Sequence, residues 1–329
     1  MQSGSTLTTD AAAPGEPLTV MGASVGRALR IGTSGWHYPS GQGTWNGIFY
    51  PEAGKRPRGF DELRFYAERF NTVEINSTFY GQPRRNVSLG WVKRTPPGFA
   101  FAVKFYQKFT HPNLTSDKSP ISPADVDEFK SGIEPLAAGD RLGPLLAQFP
   151  ASFKDSPEAR AYLEWLLETF REYDIAVELR HRSWSDHSDD VFGLLHRYEA
   201  AWTQIDEPKF RLSIRQDRLP NVKSFYYMRL HGRNAQQWWK HERSEDRYNY
   251  LYSEQELRPI AEAITTARAL VKKQYVFLNN HFAAQAVADA AVLRHMLDDP
   301  VAEPLPAELV SRYPMLEGKV PTLPPSRLL

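Results

Sequence analysis

Two glutamates of this chain have the sequence context expected of catalytic carboxylates. Glu74 and Glu178 each lie in a short β-type segment, VEIN and VELR, in which apolar residues alternate with polar ones. A pair of carboxylates can divide into an acid and a base when their surroundings separate their pKa values, as in glycoside cleavage. Arg180, on the same face as Glu178, would keep that carboxylate ionised. The alternative is that Glu178 only orients Arg180 or a further arginine, Arg229.

Three cations follow the same alternation in three different segments, namely Lys104, Arg180 and Arg229. Arginine binds a carboxylate or a phosphate through two parallel hydrogen bonds, and lysine supplies a compact charge. The three side chains therefore predict a clamp for a small anionic ligand such as phosphate, sulfate or a carboxylate. The alternative is that each cation neutralises a neighbouring glutamate or aspartate.

His231, His281 and Asp206 also stand at the ends of β-type segments. A histidine there can act as a general acid or base, and with carboxylates it can bind a divalent metal. The chain contains neither an H-E-x-x-H nor an H-x-x-E-H spacing, and nearby cations disfavour a closed metal site. We therefore predict no cofactor, with a divalent metal as the lesser alternative. The predicted catalytic set is Glu74, Glu178, His231 and Asp206.

The predicted binding residues share a position at or just beyond the end of a strand, where aromatic rings and amides can contact a ligand. Asn279 and Asn280 are both included because the alternation does not decide which of them faces the site. The set is Trp36, Asn76, Tyr80, Lys104, Gln148, Arg180, Arg229, Asn279, Asn280 and His281.

Short β-type segments and longer helical segments alternate along the chain, and together they must position these side chains. The predicted strands are Leu29–Trp36, Thr72–Phe79, Phe99–Tyr106, Gly143–Phe149, Asp174–Arg180, Ala201–Asp206, Phe225–His231 and Gln274–Asn280. Eight strands with helices between them predict a single (β/α)₈ barrel of the TIM type. A doubly wound open sheet has the same alternation, but no G-x-G-x-x-G follows the first strand.

The alternation also predicts which side chains point into the barrel. Apolar residues face the helices, so the residues between them point inward. By this argument Glu74, Glu178, Asp206 and Arg229 all point inward near the carboxyl ends of the strands. Barrel enzymes keep their active sites at that end. Buried ions cost several kcal/mol each unless they are paired, so we expect them to serve a function rather than only to fill the barrel.

Seven short motifs make the chain resemble a known family. They are IGTSGW at 31–36, VEINSTFY at 73–80, FAVK at 101–104, QFP at 148–150, ELRHRSW at 178–184, YMRLHG at 227–232 and NNH at 279–281. Together they resemble the YecE-like family, a domain of unknown function called DUF72, over roughly residues 30–297. The resemblance implies a TIM-type barrel and supplies no reaction.

Composition narrows the class of protein. The 329 residues carry a net charge of +1 and no cysteine, which excludes disulfides, thiolate nucleophiles and zinc–thiolate sites. We predict a leader without fixed structure at 1–28, the barrel at 29–299 and a proline-rich tail at 300–329. The leader lacks the apolar run of a secretory signal, and no segment is apolar enough to span a membrane. A cytoplasmic location follows, and the sequence does not give the oligomeric state.

Three functions compete at this point. The first is an enzyme of hydrolase or lyase type that acts on a small anionic or phosphorylated substrate at the carboxyl end of the barrel. The second is a metal-dependent enzyme that processes nucleic acid, although the near-neutral charge disfavours long duplex contacts. The third is a protein that binds an anion without catalysis. The loop at 233–252 is either a lid over the barrel mouth or a surface for a partner.

Overall fold

The fold is built on nine short strands that all pair in parallel. The computed structural model describes Met1 and residues 28–112, 114, 119–217, 219–240, 242–243 and 245–324. Its strands are β1 (Ala28–Ser34), β2 (Thr72–Ile75), β3 (Ala100–Lys104), β4 (Leu142–Gln148), β5 (Ile175–Glu178), β6 (Ala201–Trp202), β7 (Gln204–Asp206), β8 (Phe225–Leu230) and β9 (Lys273–Leu278).

The strands close on themselves. Their order in the sheet is β6-β5-β4-β3-β2-β1-β9-β8-β7, and the two edge strands are consecutive in the chain. Only Thr203 separates β6, which pairs with β5, from β7, which pairs with β8. The predicted sixth strand is thus interrupted once, and the sheet forms a nearly closed α/β barrel of the TIM type. The predicted fold class is confirmed.

Helices connect most of the strands, and the longer ones cover the outside of the barrel. They are α1 (Glu62–Arg69), α2 (Ser77–Tyr80), α3 (Arg85–Arg94), α4 (Gln107–Thr110), α5 (Pro123–Ala138), α6 (Pro157–Thr169), α7 (Ser183–Asp186), α8 (Ser188–Arg197), α9 (Glu254–Leu270), α10 (Gln285–Met296) and α11 (Ala307–Arg312). Serine caps fix three of the long ones. Ser122 and Ser253 form capping boxes at α5 and α9, and Ser156 caps α6 ahead of a proline in the first turn.

The strands separate two apolar layers. The outer layer packs the helices against the outward residues of the strands, such as Val73, Met228 and Leu230. A smaller inner cluster fills the barrel itself with Ala100, Ala102, Leu146, Ala176, Ala201, Val222, Phe225, Tyr227, Tyr275 and Phe277. In β3 and β8 the cluster residues precede the polar ones: Ala102 comes before Lys104, and Tyr227 comes before Arg229. In these strands the carboxyl end is therefore the polar end.

The segment after residue 300 packs on the barrel over the part that the structure describes. It carries α11 and a parallel bridge between Leu305 and Thr322, and it buries Leu305 and Leu309. Its carbonyl at Pro304 accepts a hydrogen bond from Arg69 of α1. The predicted leader falls outside the described residues apart from Met1 and Ala28, the first residue of β1.

Candidate functional site

A buried guanidinium joins the two predicted catalytic glutamates. Arg229 of β8 donates to Glu74 through Nε (2.9 Å) and Nη2 (2.7 Å), and to Glu178 through Nη1 (2.6 Å). All three side chains are at most 2% exposed. Burial alone would lower the pKa of Arg229, but Glu178 and Glu74 outweigh it and raise that pKa above its ordinary value. The two glutamates are therefore held by one cation that stays charged.

Glu74 has no free hydrogen-bonding capacity. Its Oε1 accepts from Ser34 Oγ at 2.8 Å as well as from Arg229, and its Oε2 accepts from Tyr227 OH at 2.8 Å as well as from Arg229. Four donors thus surround the two oxygens. A carboxylate held in this way is suited to orienting Arg229 rather than to taking a proton from a substrate.

Glu178 is held by a second arginine as well. Arg180 donates to Glu178 Oε1 through both Nε (2.8 Å) and Nη2 (2.6 Å). Burial opposes ionisation of Glu178, but Arg229 and Arg180 overcome it and hold the pKa of Glu178 well below its usual range. Glu178 therefore remains an anion that places two guanidinium groups. A carboxylate with so low a pKa is a weak base, so its surroundings favour the orienting role over the predicted catalytic one.

His231 is a neutral member of the same cluster. Burial and the nearby Arg229 lower its pKa to about 4. The amide nitrogen of Asn279 donates to Nδ1 at 2.9 Å, so the ring proton belongs on Nε2, which lies 3.6 Å from Glu178 Oε1. His231 is fully buried behind the cations, and it therefore supports Glu178 and Asn279 rather than facing the mouth.

Lys104, at the end of β3, has a different environment from the two arginines. Its Nζ donates to Gln148 Oε1 at 2.7 Å and lies 3.9 Å from the centre of the Phe79 ring. Within the described residues no carboxylate forms an ion pair with it. Burial lowers the pKa of Lys104 to about 7, and the positive charges of Arg229 and Arg180 add to the effect. At neutral pH this amine is therefore able both to lose and to gain a proton.

These cations line a cavity of about 200 Å³ at the carboxyl end of the barrel, here called the inner cavity. No Asp or Glu is among the described residues that line it, because Glu74 and Glu178 lie behind the guanidinium groups. Its walls are Tyr38, Asn76, Phe79, Tyr80, Lys104, Gln148, Arg180, Arg229, Tyr248, Asn279 and His281. The inner cavity is thus cationic and lined with hydrogen-bond donors.

A second cavity of about 700 Å³ adjoins it and is here called the outer cavity. The two share Tyr38, Asn76 and Tyr80 in their linings. The outer cavity contains the predicted ligand contact Trp36, which packs edge-on against Trp91 at 5.9 Å. Trp36 therefore belongs beside the cationic site rather than inside it.

The prediction that Asp206 points inward is wrong. In β7, Asp206 is in register with Leu230, which packs in the outer layer, and its carboxylate accepts from Arg233 (2.7 and 2.8 Å) and from Tyr252 OH (2.9 Å). The strand assignment was right, but the alternation within it was shifted by one residue. Ala201 is in register with the inward Ala176, so Thr203, not Gln204, continues the inward series.

The inward position at this strand end belongs to Glu207, which the sequence argument missed. It is 6% exposed, and its Oε2 lies 3.8 Å from Arg180 Nη1 without a hydrogen-bond partner among the described residues. Burial raises the pKa of Glu207. The sequence signal that could have identified it is the neighbouring acidic pair Asp206–Glu207, of which only Asp206 was predicted. The register of β6 and β7 distinguishes the two residues.

Asn280 is a second correction. Its amide nitrogen donates to Asp289 Oδ2 at 2.6 Å and to the Tyr250 carbonyl at 2.8 Å, on the side of the strand away from the cavity. Asn279 takes the inward position and lines the inner cavity. Asn76, Tyr80, Gln148 and His281 line that cavity too, and their role as ligand contacts stays a prediction.

The loop at 233–252 covers part of the mouth. Tyr248 lines the inner cavity and lies 5.0 Å from the ring of His281, which stacks on Tyr38 at 4.3 Å. Trp238 is 3% exposed and contacts the His231 ring edge-on. Of the two alternatives for this loop, its contacts favour the lid.

The described residues contain neither a metal-binding cluster nor a membrane-spanning helix. Among those residues, no group of three or more His, Cys, Asp or Glu side chains is arranged to hold a metal ion. Over the same residues, no helix is long and apolar enough to cross a bilayer.

Comparison with known proteins places the chain in a family. The family described as "Protein of unknown function DUF72" matches residues 30–310. The chain belongs to the DUF72 family. The match includes every strand that contributes to the two cavities, since only the first two residues of β1 precede it.

Two similar bacterial proteins have names that state no activity. The UPF0759 protein YunF of Bacillus subtilis is 29% identical over 282 residues, which are 82% of this chain and 95% of YunF. The UPF0759 protein YecE of Escherichia coli K12 is 34% identical over 125 residues, which are 37% of this chain and 43% of YecE.

Solved structures of DUF72 proteins share the fold. The protein TM1631 of Thermotoga maritima MSB8 is 34% identical, with a TM-score of 0.69 over 82% of this chain and 99% of that one. The protein EF0366 of Enterococcus faecalis V583 is 23% identical, with a TM-score of 0.71 over 82% of this chain and 95% of that one. At that lower identity the likeness concerns the fold alone.

Proposed function

We propose that this DUF72 protein is an enzyme of hydrolase or lyase type that acts on a small anionic substrate in the inner cavity. One observation carries the proposal: Lys104, Arg180 and Arg229 face a cavity of about 200 Å³ from three strands, while both glutamates lie behind them. Among the described residues that line the cavity, an anion meets donors and positive charge and no carboxylate. Glu207 lies outside that lining, with its Oε2 3.8 Å from Arg180 Nη1. Phosphate and carboxylate groups are the chemistry that such a clamp recognises.

Arg180 and Arg229 are arranged to bind without rearrangement. Glu178 and Glu74 hold their guanidinium groups in place through hydrogen bonds of 2.6 to 2.9 Å. Preorganised donors favour binding because their orientation costs no further entropy when the ligand arrives. The two glutamates thus contribute as positioning residues in this proposal.

Lys104 is the group best suited to proton transfer in the proposed reaction. General acid–base catalysis is most efficient when the pKa of the group lies near the working pH. The pKa of Lys104 is lowered by burial to about 7, and its Nζ lines the same cavity as the two arginines. The bound anion would be within reach of one group able to give or accept a proton at neutral pH.

A role in anion binding without catalysis is the second candidate. It is favoured by the saturation of Glu74, which accepts four hydrogen bonds and is left without a free lone pair for proton transfer. In this case Lys104 serves only as a charge.

Calorimetric titration with inorganic phosphate and sulfate tests the proposal. We expect Lys104→Met to weaken binding at least tenfold. Lys130→Met is the matched control, because Lys130 lies on α5 and pairs with Glu172 outside the barrel. Equal affinity of the wild type and Lys104→Met would refute the clamp.

Phosphate esters and small carboxylic acids are then incubated with the protein, and products are followed by NMR. Binding without any product supports the second candidate.

A further inference from the structure

We infer that the substrate of the inner cavity carries a planar ring that lies in the outer cavity, joined to its anionic group by a link with a hydroxyl or N–H donor. This inference rests on the proposed function, since the anion fixes one end of the ligand. A nucleoside monophosphate has this chemistry: a phosphate, a hydroxyl-bearing sugar and a flat base.

The sizes of the two cavities support a ligand in two parts. The inner cavity, at about 200 Å³, suits a phosphate or carboxylate group with little beside it. The outer cavity, at about 700 Å³, is within the range of sites that hold a whole small molecule. Since Tyr38, Asn76 and Tyr80 line both, a ligand larger than its anionic group extends from one into the other.

The walls of the outer cavity suit a flat ring. Trp36, Phe60, Tyr80 and Trp91 contribute four aromatic side chains, and Tyr80 is 77% exposed. Stacking on such side chains accepts every nucleobase because each has a π-face. Of the side chains that line both cavities, the one most exposed to solvent is thus the aromatic ring of Tyr80.

The charged residues of the outer cavity are already paired with one another. Glu62 accepts from His37 and from Arg56 at 2.5 Å each, so neither of its oxygens is left without a partner. Arg94 pairs with Asp61 at 3.2 Å. With these charges paired, the exposed ring of Tyr80 and the aromatic side chains beside it are the surface of the outer cavity that suits an uncharged flat ring.

An unsatisfied acceptor marks the junction of the two cavities. The Oδ1 atom of Asn76 is buried and has no hydrogen-bond partner among the described residues. A buried acceptor without a partner costs free energy, so a ligand that donates to it gains affinity. Asn76 lines both cavities, which places the required donor between the anionic group and the ring.

A calorimetric series separates the parts of the ligand. The probes are inorganic phosphate, ribose 5-phosphate, adenosine 5′-monophosphate and adenosine. We expect the affinity to rise along the first three, with the base adding at least tenfold over ribose 5-phosphate, and adenosine to bind far more weakly than its monophosphate.

Phe60→Ser is the test of the ring site, because Phe60 lines the outer cavity and not the inner one. We expect this variant to lose most of the tenfold advantage of the base while inorganic phosphate binds as in the wild type. Tyr80→Ser, at an exposed side chain, checks the result if Phe60→Ser folds poorly, and we expect it to lower the ratio of monophosphate to phosphate affinity. Trp165→Leu on α6, a partly exposed tryptophan outside both cavities, is the control.

The outcomes distinguish this inference from the function on which it rests. If phosphate binds but the base adds nothing, or if Phe60→Ser and Tyr80→Ser keep the full advantage, the ring site is refuted and the anion site stands. If adenosine binds as tightly as its monophosphate, the coupling of the two cavities is refuted. If no phosphate compound binds at all, both fail.

Discussion

The two ends of the barrel interior are filled with opposite chemistry, although the same strands supply both. On β8 the inward series begins with Phe225 and Tyr227 and ends with Arg229 and His231. The first two belong to the inner apolar cluster, while Arg229 binds two carboxylates in a fully buried position. The amino end therefore stabilises the barrel by apolar burial, and the carboxyl end retains ions that need one another.

The difference between the two ends links stability to the apolar amino end of the barrel and function to its charged carboxyl end. Replacing a buried ion cluster by apolar side chains of similar volume is often neutral or stabilising in proteins, so such a cluster is weak evidence for a stabilising role. The cations at the carboxyl end face a cavity instead of completing the apolar packing. Each of the following changes tests this contrast.

Arg229→Met has the largest expected effect. It leaves Glu74 buried with only Ser34 and Tyr227 as donors and takes one of two guanidinium partners from Glu178. We expect the free energy of unfolding to fall by about 3–5 kcal/mol, the usual cost of breaking a buried ion pair on one side. Urea denaturation measures it.

Met228→Leu is the matched control for Arg229→Met, because Met228 is the buried neighbour that faces the helices. A volume-conserving apolar exchange costs less than about 1.5 kcal/mol. Equal losses in the two variants would contradict the contrast between the two faces of β8.

The affinity for sulfate should depend on pH through Lys104. The pKa of Lys104 is lowered to about 7 in the free protein, and a bound anion favours the charged amine, so binding takes up a proton above that pH. We expect the affinity to fall about fivefold between about pH 7 and about pH 8.5. The charged groups that act on Lys104 are Arg229, Glu178, Arg180 and Glu74. His111 lies nearby but is neutral over this range, because burial and the charge of Lys104 lower its pKa to about 4.

Sulfate keeps its charge over this range, so titration of the ligand does not contribute. Lys104→Arg is the control, since a guanidinium remains charged throughout. A slope that persists in Lys104→Arg would show that another group, such as Glu207, is responsible.

Asp206→Asn should affect stability and leave binding alone. The carboxylate pairs with Arg233, which is 31% exposed, and with Tyr252 outside the barrel interior. We expect a loss of about 1 kcal/mol in unfolding free energy and a sulfate affinity within about twofold of the wild type. A large fall in sulfate affinity would contradict the prediction and show that Asp206 contributes to anion binding.

Lys104→Met is expected to stabilise the protein slightly while it weakens binding. The lowered pKa means that the unfolded state binds a proton more readily than the folded state does. The free energy of unfolding is therefore lowered by the buried amine in full below about pH 7. This destabilisation disappears as the pH approaches the ordinary lysine value near 10.5. We expect a rise of about 2 °C in melting temperature near neutral pH, shrinking at alkaline pH. A lower melting temperature would place Lys104 with the stabilising groups.

The inward face of a strand was predicted correctly where its other face is uniformly apolar. Alternation in β2, β5 and β8 assigned Glu74, Glu178 and Arg229 to the interior, and the structure places both carboxylates within 2.9 Å of the Arg229 guanidinium. The face was predicted wrongly at Asp206, because both faces of the segment Ala201–Asp206 carry apolar and polar residues, so the alternation does not reveal its phase. Since side chains alternate with a period of two, a shift of one residue exchanges Asp206 for Glu207.

From the residues alone one can predict the barrel fold, the resemblance to the family and the charged side chains at the carboxyl ends of the strands. Those features follow from local periodicity and short motifs, which residues near in sequence express. Two features depend on the three-dimensional fold. Arg229 joins both glutamates, and Lys104 has no carboxylate partner among the described residues. Hydrogen bonds such as that between Arg229 and Glu74 join residues 155 positions apart, so their formation depends on strand register and closure of the barrel.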